Sequence, residues 1–94
     1  LTRIVEGVRT MRPGLPIALL GPPPWASTYY PSTKSHVPAV AAAKAWVTRM
    51  NVAYVDVEPI VGPRLATCNA DGMHWSWEVH GLVGEAVAAA LSPQ

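Results

Sequence analysis

Three stretches of the chain repeat apolar residues at intervals of three and four, the spacing that places them on one face of an α-helix. The first stretch runs from Thr2 to Arg12 and ends at Pro13-Gly14, a pair that stops a helix. Its apolar positions are Ile4, Val5, Val8 and Met11, while Arg3, Arg9 and Arg12 turn elsewhere. The pattern predicts an amphipathic helix at the start of the chain.

The second helical stretch is predicted to begin near Ser35, with Pro38 tolerated in its first turn, and to end at Asn51. His36 and Trp46 are interpreted as surface or packing residues of this helix, not as site residues. Lys44 and Arg49 are expected to point outward. The predicted buried stripe consists of Val37, Val40, Ala43, Val47 and Met50.

The third helical stretch runs from Trp77 to Leu91, with Ser76 as its N-cap and Pro93 beyond its end. Its apolar positions are Val79, Leu82, Val83, Ala86, Val87, Ala90 and Leu91. This unbroken stripe predicts a helix that packs on a sheet.

Two short runs between the helices have the composition of strands. Pro16–Leu20 is continuously apolar, as expected of a strand buried on both faces, and Val52–Val57 is rich in β-formers. Asp56, near the end of the second run, is interpreted as capping the following turn, with a site role as the rarer alternative. Residues 58–65 are predicted to form a loop with a helical turn.

The order helix, strand, helix, strand, helix predicts an α/β fold with parallel strands and right-handed crossovers, a slice of a three-layer α/β/α sandwich. The 94 residues are at most one domain. Half of them are apolar and 14% are charged, which indicates a partner surface. The chain does not begin with Met, so we expect a fragment or subunit of a larger α/β protein.

The charge pattern disfavours several kinds of partner. The net charge is +1 and the Lys and Arg residues are scattered, so neither nucleic acid nor a membrane surface is predicted to bind. The apolar runs are too short to span a bilayer. Cys68 is either a buried thiol or the partner of a cysteine outside this sequence, and export or the cell envelope is slightly favoured over the cytoplasm.

A loop rich in proline and aromatic residues follows the first predicted strand. It begins with Gly21-Pro22-Pro23-Pro24 and contains Trp25, Tyr29 and Tyr30. Loops after parallel strands hold ligand contacts in α/β folds, so Trp25 and Tyr30 are predicted to bind substrate. The alternative is that the prolines stiffen a connection and the aromatic rings cover the edge of the sheet.

Asp71-Gly72-Met73-His74 is the stretch with the clearest chemical potential. A carboxylate three residues from an imidazole, in a turn before a helix, can hold one ring nitrogen while the other faces a cleft. Taken alone the pattern is weak, because Asp-Gly is also ordinary turn chemistry. A metal site of Cys68, Asp71, His74 and His80 is disfavoured by the spacing, and no phosphate loop indicates a nucleotide cofactor.

In its wider context this stretch resembles the last conserved block of the SGNH/GDSL hydrolase superfamily of serine esterases, lipases and acyltransferases. The buried strand Ile17–Leu20, the alanine-rich helix and Tyr54-Val55-Asp56-Val57 fit the order of that fold. The resemblance covers essentially the whole chain, as the C-terminal portion of one domain with a parallel, flavodoxin-like sheet.

The resemblance implies that Asp71 is the acid of a Ser-His-Asp triad and His74 its general base, with no metal or cofactor. Trp75 replaces the proline that usually follows this histidine, so it is expected to shape the substrate pocket. His80, where many members carry a helix-borne histidine, is interpreted as structural.

The nucleophile block Gly-Asp-Ser and the blocks that build the oxyanion hole do not occur in this sequence. The N-terminal part of the same domain would supply them as partner, with a small acyl ester as substrate. An acyltransferase acting on a sugar or other alcohol, and a non-catalytic α/β binding module, remain the alternatives.

Overall fold

The computed structural model describes residues 1–25, 32–67 and 74–92. Within this part, the α-helices span Thr2–Met11 (α1), Ser32–Met50 (α2), Glu58–Val61 (α3) and Trp77–Leu91 (α4). The strands are Ala18–Leu20 (β1) and Ala53–Val55 (β2), and a 3-10 helix covers Gly62–Thr67. The predicted order of elements is confirmed, with the 3-10 helix added.

β1 and β2 pair in parallel, with Leu19 opposite Tyr54. Two further bonds extend the ladder, from the Ala53 N–H to the Ile17 carbonyl at 3.1 Å and from the Gly21 N–H to the Val55 carbonyl at 2.9 Å. The parallel pairing confirms the predicted α/β sheet.

Both strands are shorter than predicted, and the second one ends early for a visible reason. The Asp56 carboxylate accepts a hydrogen bond from the Glu58 N–H at 3.1 Å, and Val57 already has helical dihedral angles as the N-cap of α3. The chain therefore leaves the sheet at Asp56, which caps the following turn as the preferred interpretation had it.

Helices cover both faces of this sheet, so the three-layer α/β/α arrangement is confirmed. On one face, Val5 of α1 and Val47 of α2 pack with Val52, next to Leu19 and Tyr54. On the other face, α3 and α4 pack against Ala18 and Val55. The buried residues there are Val55, Val57, Val61, Val79 and Val83.

The buried face of α2 differs from the predicted stripe by one residue. Val37 is 67% exposed, whereas His36 is buried and places its ring Nε2 2.8 Å from the carbonyl oxygen of Pro22. The hydrogen bond orients the helix so that position 36, not 37, faces inward. α2 also starts at Ser32 instead of near Ser35, so Pro38 lies inside the helix and not in its first turn.

α1 is amphipathic, but its inward face is narrower than predicted. Val5 is buried, while Ile4 and Met11 are 65% and 80% exposed. Arg9, expected to turn elsewhere, donates to the carbonyls of Met50 at 2.6 Å and Asn51 at 2.8 Å. A guanidinium on the free carbonyls at the end of α2 satisfies them and favours the negative end of the helix dipole.

α4 begins as predicted, since the Ser76 hydroxyl accepts a hydrogen bond from the Val79 N–H at 3.3 Å. Val79 and Val83 of its apolar stripe are buried, and Ala90 near its end is exposed. Across the described residues, none of the helices combines the length and apolar character that crossing a membrane requires.

Candidate active site

The carboxyl end of β1 is the edge of the sheet where Trp75, one of the predicted site residues, lies. β1 ends at Leu20, and the chain continues through Gly21, Pro22 and Pro23 away from the sheet. In α/β folds, the crevice outside the carboxyl ends of the strands is the usual place for ligands. The sequence pattern that identified this loop as a candidate thus places it at the expected edge.

Gly21 is required at this point by the packing of β2. A Cβ atom at Gly21 would overlap the hydroxyl and the ring of Tyr54. Any larger residue would therefore push the loop or the ring away. The glycine allows the loop to leave the sheet directly above the tyrosine.

His36 fixes the same loop from the side of α2. A carbonyl oxygen can only accept, so the ring Nε2 carries the hydrogen in its 2.8 Å contact with Pro22. Of the two roles predicted for His36, at the surface or in packing, the structure shows the packing role, because the residue is buried. The loop that it anchors thus fixes the orientation of the ring.

His74 lies two residues before the N-cap of α4, and its side chain is exposed. The next residue, Trp75, is half-buried and packs against the valine cluster formed by β2, α3 and α4. With Trp75 in the core and Ser76 bonded to the first turn of α4, the backbone that follows His74 is held at two successive positions. A general base needs such a fixed support.

Trp75 also lines a cavity of about 670 Å³ at the carboxyl end of β1. The wall there includes Leu20, Gly21, Pro22 and Pro23, and α2 contributes Trp46 and Arg49. The residue that follows His74 therefore faces the loop after β1. A group bound at this edge would have an indole beside it and an imidazole-bearing segment next to that indole.

The structure brings together only part of the predicted site. Trp25 is half-buried in the loop and is not among the described residues that line the cavity. Asp71 and Tyr30 lie outside the described residues, so the predicted pairing of Asp71 with His74 and the role of Tyr30 stay predictions.

His80 belongs to an aromatic group at the start of α4. Its ring centroid is 5.2 Å from that of Trp75 and 6.0 Å from that of Trp77, at tilted angles. Trp77 itself is 91% exposed. The sequence pattern did not identify Trp77 as a contact of His80, because position 77 lies outside the apolar stripe of α4. The exposed His80 ring thus contacts the Trp75 ring, and the structural role expected of His80 stays a prediction.

An ion pair holds the start of α4 against the 3-10 helix. Arg64 Nε lies 3.5 Å from a carboxylate oxygen of Glu78, and an Arg64 terminal nitrogen donates to the Ile60 carbonyl at 3.1 Å. Glu78 lies in the first turn of α4, where a negative charge also favours the helix dipole. Both contacts steady the helix that follows the candidate base.

Tyr54 is the one described residue with a buried side-chain polar atom that has no hydrogen-bond partner. Burial raises the pKa of its phenol, and the negative charges of Asp56 and Glu58 raise the pKa further. Its ring packs on the face of α1 and α2, away from Trp75. The Tyr54 hydroxyl therefore lies against Gly21, where the loop leaves the sheet.

Metal ligands do not cluster in the part of the chain described here: no group of three His, Cys, Asp or Glu side chains comes together there. Cys68 and Asp71, two members of the set weighed from the sequence, lie outside it.

No family model matches the chain, but it resembles known proteins in sequence and in structure. It is 33% identical over 84 residues to the diglucosylglycerate octanoyltransferase of Mycobacterium tuberculosis, an alignment that covers 86% of this chain and 34% of that protein. The chain thus spans about a third of the length of this relative.

Among solved structures, the chain resembles the esterase domain of the ORF1 protein from the zebrafish ZfL2-1 retrotransposon. The TM-score is 0.78 at 18% identity, and the match covers 96% of this chain and 57% of that one. The chain therefore has a partial α/β fold that matches part of this domain, and the α/β fold implied by the resemblance in the sequence is confirmed. One of these relatives is thus named as an acyltransferase and the other as an esterase domain.

Proposed function

We propose that residues 1–94 are the C-terminal part of a single SGNH-type serine hydrolase domain, in which His74 is the general base and Asp71 the triad acid. The nucleophilic serine and the oxyanion hole belong to the N-terminal part of the same domain, outside this sequence. The substrate is a small acyl ester. The fold of the esterase domain and the sequence of the octanoyltransferase support this assignment.

The position of Trp75 is the observation that most strongly supports the proposal. Trp75 lines the cavity at the carboxyl end of β1, and its neighbour in sequence is His74. A catalytic imidazole must lie where a substrate can reach it, and this edge is the ligand-binding edge of an α/β sheet. A histidine on the opposite edge of the sheet would not have met this condition.

The chemistry follows from these roles. His74 removes the serine proton as the serine oxygen attacks the acyl carbonyl. The resulting oxyanion is stabilised by the hydrogen-bond donors of the oxyanion hole, which lie outside this sequence. The intermediate collapses to an acyl-serine, and His74 passes the proton to the departing alcohol oxygen. Water then repeats the sequence and releases the acid. Asp71 holds the tautomer of the His74 ring and stabilises its imidazolium form in both halves of the reaction, the acylation and the hydrolysis of the acyl-serine.

An acyltransferase is the second candidate, with the same acyl-serine intermediate and an alcohol in place of water. The relative that is 33% identical over 84 residues is named for the transfer of an octanoyl group to diglucosylglycerate. Trp75, with Trp25 and Tyr30 from the loop after β1, would form an apolar wall that excludes water and stacks on a sugar-like acceptor. The acceptor therefore decides between the two functions.

The test is labelling of the complete protein with a fluorophosphonate probe, which reacts with activated serines. We expect labelling, and expect His74→Ala to reduce its rate and that of ester hydrolysis by roughly a thousandfold or more. Asp71→Asn should reduce both by a large but smaller factor, because the histidine tautomer is no longer fixed.

His80→Ala is the matched control, since it removes an exposed imidazole from α4, the helix that follows His74, while leaving His74 in place. It should label at nearly the original rate. Labelling that survives His74→Ala would contradict the assignment. Product analysis with an acyl ester, with and without a sugar alcohol, then separates the hydrolase, which releases acid in both cases, from the acyltransferase.

A further inference from the structure

His36 is the one polar residue that is buried in the described part of the chain, with 6% of its surface exposed. It lies in α2, and its ring Nε2 donates to the Pro22 carbonyl oxygen at 2.8 Å. A buried donor that loses its partner costs stability, so this pair resists separation. The contact therefore couples α2 to the loop after β1, although the two residues are 14 positions apart.

The loop cannot supply this hydrogen bond from its own prolines. The Gly21 N–H bonds to the Val55 carbonyl at 2.9 Å, and three prolines follow directly. Proline has no backbone N–H, so Pro22, Pro23 and Pro24 can accept hydrogen bonds but cannot donate them. Their carbonyls need a donor from another element, and His36 supplies it at the first of the three.

The three prolines form a stiff segment. Each pyrrolidine ring fixes φ, and consecutive prolines favour an extended, semi-rigid chain. A displacement at Pro22 is therefore passed on to Pro23, because the bonds between them have little freedom to absorb it. One hydrogen bond at the start of the segment thus determines where its later residues lie.

The position of this segment matters at the cavity beside the carboxyl end of β1. Pro22 and Pro23, which we call the proline wall, line this cavity on one side, and Trp75 lines it as well. His36 is not among the described lining residues. Its ring therefore supports the proline wall from behind and does not contact a ligand in the cavity.

The lining next to the proline wall indicates the chemistry of the ligand. Leu20 and Trp75 add apolar surface there. Arg49, the one charged side chain in the described lining, lies in the last turn of α2, whereas His36 lies near the start of that helix. Apolar walls suit a hydrocarbon chain. In the proposed reaction this chain is the acyl group of the ester.

We infer that His36 is a positioning residue for acyl binding: its hydrogen bond to Pro22 sets the separation between the proline wall and Trp75. The inference rests on the proposed function for the identity of the ligand, and on the buried contact for the mechanism. Without the donor, the Pro22 carbonyl turns towards water and takes the stiff segment with it. The wall then no longer lies against the acyl chain, and apolar contacts are lost.

Two amide variants of the complete protein test this role, because they differ by one methylene. His36→Gln places a donor about as far from the backbone as Nε2, whereas the shorter side chain of His36→Asn cannot reach the Pro22 carbonyl. We expect His36→Asn to raise the KM for a decanoyl ester about tenfold at little-changed kcat, as for the loss of one hydrogen bond. His36→Gln should restore most of the affinity.

The dependence on acyl length is a readout that general weakening of the fold would not produce. The KM for an acetyl ester, which is too short to reach the proline wall, should stay near its original value in both variants. Val37→Asn is the matched control, since it places the same amide on the exposed neighbour of His36. It should leave the KM of both esters unchanged.

Pro23→Gly is a second variant, which loosens the proline wall without altering α2. It should also raise the KM for the decanoyl ester, and it decides the question if His36→Asn does not fold. An unchanged KM in Pro23→Gly protein would contradict the inference.

Binding of decanoic acid to His74→Ala protein separates this inference from the proposed chemistry, since binding needs no catalytic histidine. In that background, adding His36→Asn should weaken binding about tenfold, and adding His36→Gln should restore it. No binding, equal affinities, an equal loss with both esters or no rescue by His36→Gln would overturn the inference. Ester hydrolysis that survives His74→Ala, with the His36 pattern intact, would instead overturn the assignment of the general base.

Discussion

The two faces of the sheet are buried to different extents in the described part of the chain. On the face of α3 and α4, Val57, Val61 and Val79 have no exposed surface at all. On the face of α1 and α2, the buried residues keep a little exposure, and Ile4 and Val37 present most of their side chains to solvent. The first face is a closed core, and the second is more open to solvent.

This difference explains where the candidate base is attached. His74 precedes α4, so its segment is anchored in the closed core through Trp75. The loop that faces it is anchored on the other side, through the contact of His36 with Pro22. The segment of the candidate base and the loop after β1 are therefore held by different layers of the fold.

The largest effect is expected from Val79→Ala, which removes two methyl groups from the closed core. We expect the complete protein to lose about 2 kcal/mol of unfolding free energy, because the helix and sheet cannot collapse fully into the space. Chemical denaturation monitored by tryptophan fluorescence measures this loss.

Val37→Ala is the matched control on the incomplete face, since it makes the same change at a residue that is 67% exposed. A loss within about 0.5 kcal/mol is expected there. Equal losses at the two positions would break the comparison, and would show that the surface of α2 around Val37 is also buried in the complete protein.

Much of this architecture could be predicted from the sequence, because local patterns determine it. The helical periods, the β-rich run before Asp56 and the N-cap at Ser76 each depend on residues within a few positions of one another. The order of these helices and strands along the chain predicted that helices cover both faces of the sheet. The same locality produced the resemblance that both relatives support.

What the sequence could not reveal depends on contacts between distant residues. His36 and Val37 are equally compatible with a helical stripe, and the choice is made by the carbonyl of Pro22, 14 residues away. The need for glycine at position 21 arises from the ring of Tyr54 on the neighbouring strand. For the site, predicting that Trp75 lies at the carboxyl end of β1 would have required the register of the sheet. No local sequence pattern contains that register.

An intermediate effect is expected from Ser76→Ala, which removes the N-cap of α4. Loss of the bond to the Val79 N–H should lower the unfolding free energy by about 1 kcal/mol. If this cap also positions the segment of His74, ester hydrolysis should fall in parallel, and Ser76→Asp should restore both.

Ser92→Ala is the control at the other end of the same helix, where the hydroxyl donates to the Ala88 carbonyl at 2.7 Å. This change should leave hydrolysis untouched. An activity loss as large as that of Ser76→Ala would mean that general weakening of α4, and not the cap beside His74, limits the reaction.

The smallest effect at neutral pH is expected from Tyr54→Phe, because it removes a buried hydroxyl that has no partner among the described residues. Removing an unsatisfied polar group is close to neutral or slightly stabilising. The difference should appear only in alkali. Burial, Asp56 and Glu58 raise the pKa of this phenol in the folded protein, so the folded state holds the proton more tightly than the unfolded state does.

The stability that the folded protein gains by holding this proton is present below the ordinary tyrosine pKa of 10.0. It is lost as the pH rises through the raised pKa of Tyr54 in the folded protein. The original protein should therefore lose unfolding free energy above pH 10 faster than Tyr54→Phe does. Denaturation at a series of pH values measures the two slopes. Identical slopes would mean that the phenol is paired in the complete protein, which would make the face of α1 and α2 as fully closed as the face of α4.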